Sequence, residues 1–265
     1  MKYTHSIANV LFEFKQTVLS CARRLFALLF GGEHCLCCGS DSGSLPLCKK
    51  CVEKELMQFL PPDGETTAPL ARKRCSVCGK PLVSELEKCM DCRGEPILAH
   101  TDVVFPLYQY RLWRKELLFA WKIEGKRSLS PVFAAAMHKA LCLLFPEEKP
   151  VIVPVPPRPG KIRSSGWDQI DELCMFLRHR YGYTVLPLLE RTTSRQQKKL
   201  DRAGRLEMKG KSYVMSPLAA GVLLPERVAL IDDVLTTGVT VESCAALLKG
   251  AGVSKVTVLT LFIVD

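Results

Sequence analysis

The chain has 265 residues, 48% hydrophobic and 24% charged, with a formal net charge of +10. That mixture excludes wholesale disorder, and no uninterrupted apolar run approaches the ~20 residues that a membrane-spanning helix needs. The basic excess points to polyanionic partners or a phosphate-bearing ligand, unless it serves solubility alone.

Residues 7–30 read as an amphipathic helix closed by Gly31-Gly32, and residues 1–33 as one unit. Glu13, Lys15, Arg23 and Arg24 interrupt its apolar residues, so it lacks the clean core of a signal peptide and no stable membrane insertion is expected. Such a helix either lies on a membrane surface or packs on its own domain.

The second unit, residues 34–95, is rich in cysteine and punctuated by glycine and proline turns. The chain has thirteen cysteines, nine of them between 35 and 92. An odd total, tight CxxC pairs and no secretory signal argue against a disulfide framework and for reduced thiolates in a cytoplasmic protein. Cys35/Cys38, Cys48/Cys51, Cys75/Cys78 and Cys89/Cys92 each place two sulfurs on one tight turn. Four such pairs make up to two four-cysteine zinc sites, with Gly39 and Gly79 turning the backbone toward the sulfurs. Cys37 competes with Cys38 for one ligand position, and spacing favours Cys38. Sequential and interleaved pairings of the four knuckles both remain open. The metal reads as structural, since nothing nearby supplies an open coordination position or a general base.

The third unit, residues 100–265, alternates strand-like and helix-like segments. Strands are expected at 103–110, 151–155, 185–189, 228–231 and 255–264, and helices at 112–123, 131–144, 167–181 and 240–249. Thr240 is a plausible N-cap of the last helix, which Gly250 or Gly252 would end. Continuous apolar runs such as Val151–Val155 suit buried parallel strands, so the alternation implies an α/β domain around a mainly parallel sheet with helices flanking it.

The strongest chemical signal lies at 228–240. An apolar strand ends in Asp232-Asp233, then come Thr236, Thr237, Gly238, Val239 and Thr240, then a helix. Ligands of open α/β sheets sit beyond the carboxyl ends of the strands. Backbone amides of a Thr/Gly loop at a helix start form an anion cradle, and the acids suit sugar hydroxyls or a divalent cation such as Mg²⁺. This string resembles the phosphoribosyl pyrophosphate (PRPP) signature of type I phosphoribosyltransferases. That resemblance implies that the acids hold the ribose 2′- and 3′-hydroxyls and the loop holds the 5′-phosphate.

Several further blocks, in order, extend the resemblance. They are the Leu25–Phe30 segment before the first knuckle, Cys78-Gly-Lys-Pro81, and the stretch from Tyr110 through Lys122 to Gly125. Then follow Val153-Pro-Val-Pro156 with Arg163 and Gly166-Trp-Asp-Gln169, and Gln197-Lys-Lys-Leu-Asp-Arg202. Over residues 25–265 the chain resembles the ComF family. The resemblance implies a zinc ribbon joined to a type I phosphoribosyltransferase domain. It also implies a transferase using PRPP, Mg²⁺ and an unidentified acceptor, and a role in DNA uptake. A binding protein for PRPP or single-stranded DNA, working with competence helicase or DNA-processing proteins, is the alternative. Trp167-Asp168 stands where the family carries Phe-Asn, and Ile123-Glu124 where it carries an aromatic residue.

Pyrophosphate departure demands neutralising cations. Arg158, Lys161 and Arg163 follow the 151–155 strand, and Lys122 and Arg202 are further candidates. Residues 191–211 carry eight cations against two anions, net +6. They read as a lid, a solvated loop or a strip for nucleic-acid phosphates. Asp233 and, more weakly, Asp168 are the nominees for a general base. Trp167 suits the core better than base stacking, and the five histidines lie outside these blocks.

Overall fold

In a computed structural model, the described residues are 2–57, 74–94, 97–192 and 212–264. Arg202 and the basic stretch 193–211 lie outside them. The labelled helices are α1 (Lys2–Phe30), α2 (Lys49–Cys51), α3 (Trp113–Lys122), α4 (Ser130–Leu144), α5 (Lys161–Ser165), α6 (Gln169–His179) and α7 (Val239–Gly250). The strands are β1 (Glu33–His34), β2 (Asp41–Gly43), β3 (Val103–Gln109), β4 (Val151–Pro154), β5 (Leu189–Arg191), β6 (Tyr213–Met215), β7 (Arg227–Leu235) and β8 (Lys255–Ile263).

Four strands form a parallel sheet in the order β3-β8-β7-β4. The two inner strands are the most continuously apolar, because helices cover both of their faces. Side chains alternate between those faces. Ala229, Ile231, Leu259 and Leu261 join the core beneath α3, α4 and α6, which includes Trp121, Phe133 and Leu173. Val228, Leu230, Val256 and Val258 join the opposite core, built on Val241, Cys244 and Leu248 of α7. Pro106 and Pro154 fall in the outer strands β3 and β4, where a missing N–H is tolerated.

Three expectations change. The strand expected at 185–189 is a single parallel bridge from Val185 to Ile152. Leu186 N–H donates to Ile152 O, but the next N–H in line, that of Leu188, turns back to Leu186 O, and the chain passes instead into β5, which pairs antiparallel with β6. Strand β7 does not end at the acids: it runs through Asp232 and Asp233 to Leu235, with Asp232 opposite Thr260 and Val234 opposite Phe262 of β8. The N-cap of α7 is Gly238 rather than Thr240, because Gly238 takes φ +81° and the helix starts at the next residue.

One buried polar cluster links α3, α4 and α6. Trp121 Nε1 donates to Ser130 Oγ at 2.9 Å, and Ser130 Oγ and Arg127 Nε both donate to Glu172. Trp167 is half-buried edge-on to Trp121, centroids 6.3 Å apart, with the Arg127 guanidinium 5.5 Å from its ring. It packs as the core reading expected.

Candidate functional site

Each cysteine cluster is built by a pair of tight turns. Gly39 N–H donates to Cys35 O at 2.8 Å and Gly79 N–H to Cys75 O at 2.9 Å, with φ of +72° and +71° at the two glycines. Side chains strain in that left-handed region, so glycine suits both positions. The sulfurs converge as two sequential sets, Cys35/Cys38/Cys48/Cys51 and Cys75/Cys78/Cys89/Cys92. Within each set the ligand atoms all lie within 4.8 Å of one another. Cys38, and not Cys37, belongs to the first set, and the interleaved pairing is not the one formed.

Hydrogen bonding to Ser40 holds the Cys38 thiol down to about 6. In the second set, burial pushes Cys75 up, but backbone hydrogen bonds at Cys78, Cys89 and Val77 outweigh it and hold the thiol at about 7. Four converging sulfurs, some already biased toward thiolate, fit a tetrahedral zinc. Among the described residues, these two sets are the groups of three or more metal-ligating side chains that converge.

The second cluster is pressed against the sheet. A Cβ on Gly79 would meet Val104 O at 2.1 Å. Arg74 Nη1 donates to Gly79 O at 2.9 Å and to Pro106 O at 2.8 Å, and its guanidinium lies 4.4 Å from the Phe105 ring centroid. From there the chain reaches α7. Ala99 and His100 N–H groups donate to the buried Glu242 carboxylate, and His100 Nδ1 lies 2.6 Å from it. Leu98 packs on Gly238, where an added Cβ would meet Leu98 Cδ2 at 2.9 Å.

Beyond the carboxyl ends of β4 and β7 lies a cavity of about 1030 Å³. Its floor carries Asp232 and Asp233, and one wall carries Thr236, Thr237, Val239 and Thr240. Lys122 comes from the end of α3, Arg158 and Lys161 from the turn after β4, and Arg191 and Tyr213 from the β5–β6 hairpin. The sequence-nominated residues are thus brought together, except for two that are described. Gly238 is buried just behind the wall as the helix cap. Arg163 is exposed on α5 and does not line the cavity.

Charge within the cavity is balanced locally. Lys122 Nζ is ion-paired with Asp233, and that partner outweighs burial to raise the ammonium's pKa. Burial and the adjacent Asp233 push the Asp232 carboxyl up to about 8, although Asp232 Oδ1 accepts from Asp233 N–H at 2.8 Å. Lys161 Nζ pairs with Asp168 and Gln169. Asp168 Oδ1 also accepts from Ile170 and Asp171 N–H groups, capping α6. A carboxylate engaged in this way is a helix cap and a lysine anchor, which argues against its nomination as a base.

Tyr213 was not singled out from the sequence. It reaches the cavity only because β6 pairs with β5 across the intervening stretch, and no local motif marks it. Arg191 stood at the head of the basic stretch, and Gln169 stood within the Gly166–Gln169 block.

No family model matches the chain. It is 27% identical over 190 residues to "Competence protein ComFC" of Streptococcus pneumoniae (strain ATCC BAA-255 / R6), covering 71% of this chain and 79% of that protein. It is 26% identical over 196 residues to "Competence protein ComFC" of Bacillus subtilis (strain 168), covering 70% and 77% respectively. The chain is thus similar to two ComFC proteins over about 70% of its length, and it carries two four-cysteine clusters ahead of a parallel α/β sheet.

Proposed function

We propose that the cavity binds PRPP with Mg²⁺ and that the protein is a phosphoribosyltransferase acting in competence, the role printed in the names of its relatives. The observation that carries this reading is the convergence, in one cavity at the strand ends, of an acid pair, a Thr-Thr-Gly turn and four cations. A volume of about 1030 Å³ stands at the upper end of small-molecule sites, with room for a sugar carrying two phosphate groups and an acceptor.

Each part has a task set by its position. The Thr236–Thr240 turn takes the 5′-phosphate, with hydroxyls and the N-terminal N–H groups of α7 as donors. Asp232 and Asp233 accept hydrogen bonds from the ribose hydroxyls. Asp233 is ion-paired with Lys122, whereas burial and the adjacent Asp233 push the Asp232 carboxyl up to about 8. Asp232 and Asp233 are the carboxylates that would hold Mg²⁺, which would neutralise charge on the departing pyrophosphate. Arg158, Lys161 and Arg191 surround the remaining wall, where pyrophosphate leaves as the C1′–oxygen bond breaks and a C1′–acceptor bond forms. Lys161 is held by Asp168 and Gln169, so its charge is positioned before the ligand arrives.

The test is a melting-temperature shift with PRPP plus Mg²⁺, alongside AMP and pyrophosphate. A ligand at about 100 times its dissociation constant stabilises by ~2.7 kcal/mol. A shift with PRPP that exceeds both controls supports the reading, and equal shifts from all three refute it.

A second reading, binding of single-stranded DNA, is favoured by the net charge of +10 and by the eight cations of residues 191–211. Tyr213 is the sole aromatic lining the cavity among the described residues, so backbone contact suits the chain better than base stacking. Charge reversal at Lys198 and Lys199 should flatten the salt dependence of DNA affinity, and affinity indifferent to salt would reject the reading.

A further inference from the structure

Helix α1 is packed the opposite way round from an ordinary amphipathic helix. Its domain-facing side is anchored by Phe12, which lies edge-on to Phe176 at 5.1 Å and stacks on His179 at 5.0 Å. Asn9 Oδ1 and His179 Nδ1 are 2.8 Å apart. Half-buried positions Gln16, Ser20, Arg23 and Ala27 continue that same side. The opposite side carries Leu11, Phe14, Val18, Cys21, Leu25 and Leu28, every one exposed. The five apolar members other than Cys21 are 50 to 83% exposed.

These six follow one another at steps of three and four without a break. That 3.5-residue period is the seam of a coiled coil, whose a and d side chains insert between those of a partner helix. The flanking positions agree. In a parallel pair Lys15 would face Val10 and Arg24 would face Leu29 of the partner helix, so no like charges meet. The seam exposes roughly 600 Å² per helix, so a symmetric pair buries at most about 1,200 Å², at the small end of specific interfaces. An exposed apolar strip of that size on a soluble surface marks an interaction site.

A lipid surface is the less fitting occupant. Membrane-surface helices crowd lysine and arginine along the polar face, and here Arg23 is half-buried on the domain side, leaving Lys15 and Arg24 exposed among the described side chains.

We propose that α1 pairs with α1 of a second copy of this chain as a two-stranded coiled coil, with the two sheets facing outward. The contacts of Phe12 and Asn9 stay intact in such a pair, because they use the other side of the helix.

The experiment is sedimentation equilibrium of the full metal-loaded chain at tens of micromolar, with Val18→Glu/Leu25→Glu beside it. The expected masses are twice 29.6 kDa for the wild type and 29.6 kDa for the variant, with metal content and circular dichroism unchanged. If the double variant loses metal or helix, Val18→Lys alone puts the same question on the same exposed side. A wild type that stays monomeric overturns the proposal, as does a dimer that survives the charges. Flotation of a monomeric wild type with phosphatidylglycerol–phosphatidylcholine vesicles would assign the seam to a lipid surface instead.

Discussion

Replacing Asp232 by Asn should stabilise the ligand-free protein at alkaline pH while removing its response to PRPP. Burial and the neighbouring Asp233 push this carboxyl up to about 8 in the folded protein, against an unfolded value of ~3.9. A carboxyl raised in this way holds its proton more tightly when folded. Its ionisation therefore erodes stability as pH rises from about 4 to about 8, and the whole loss is present above that window. Asn cannot ionise, and its side-chain oxygen can keep the 2.8 Å hydrogen bond from Asp233 N–H. At ~1.4 kcal/mol per unit the full shift would exceed 5 kcal/mol; water reaching this half-buried group reduces the effect to about 1–3 kcal/mol. For a chain of this size that is a gain of about 3–8 °C in Tm. Scanning calorimetry of wild type and variant between about pH 6 and pH 8.5 reads it directly, and the gain should grow across that interval. A variant less stable than wild type throughout, or a gain independent of pH, refutes the reasoning.

Three further outcomes are expected. Metal analysis should find two zinc ions per chain, unchanged in Cys37→Ser and reduced to one in Cys75→Ser. Cys75 packs in the same buried cluster as Val104 and Val241, so its loss should also weaken the PRPP-induced Tm shift. Gly238→Ala should cost about 1–2 kcal/mol from the left-handed φ alone, and more because Leu98 must move; urea unfolding measures it. Lys122→Met leaves the buried Asp233 without its ion-pair partner; it should cost about 1–3 kcal/mol in the same assay and weaken pyrophosphate binding in calorimetry.

Much of this architecture is legible from local chemistry. The apolar runs of β7 and β8 are nearly continuous because both faces of each inner strand are covered, and that pattern is visible without the fold. The knuckles are visible because two sulfurs on one tight turn need a short spacing and a permissive glycine. The acid pair and Thr-Thr-Gly turn are visible for the same reason, being contiguous. What stayed hidden depends on distant segments. Strand β7 continues past Asp233 because Thr260 and Phe262 of β8 supply partners there. Tyr213 reaches the cavity through a hairpin whose halves are 22 residues apart, from Arg191 to Tyr213 in register. Asp168 reads as an added charge in sequence, yet Lys161 and two backbone N–H groups occupy it. The hydrophobicity of α1 is plain in the sequence, but only its docking through Phe12 shows that the apolar seam faces outward.

The most direct measurement is isothermal titration of PRPP–Mg²⁺ into the wild-type chain and into Asp232→Asn/Asp233→Asn. The expected result is one site per chain for the wild type and no measurable heat for the double variant, with single-stranded DNA affinity equal in both. Saturable PRPP binding that survives loss of both carboxylates, or none in the wild type, would contradict the assignment of this cavity.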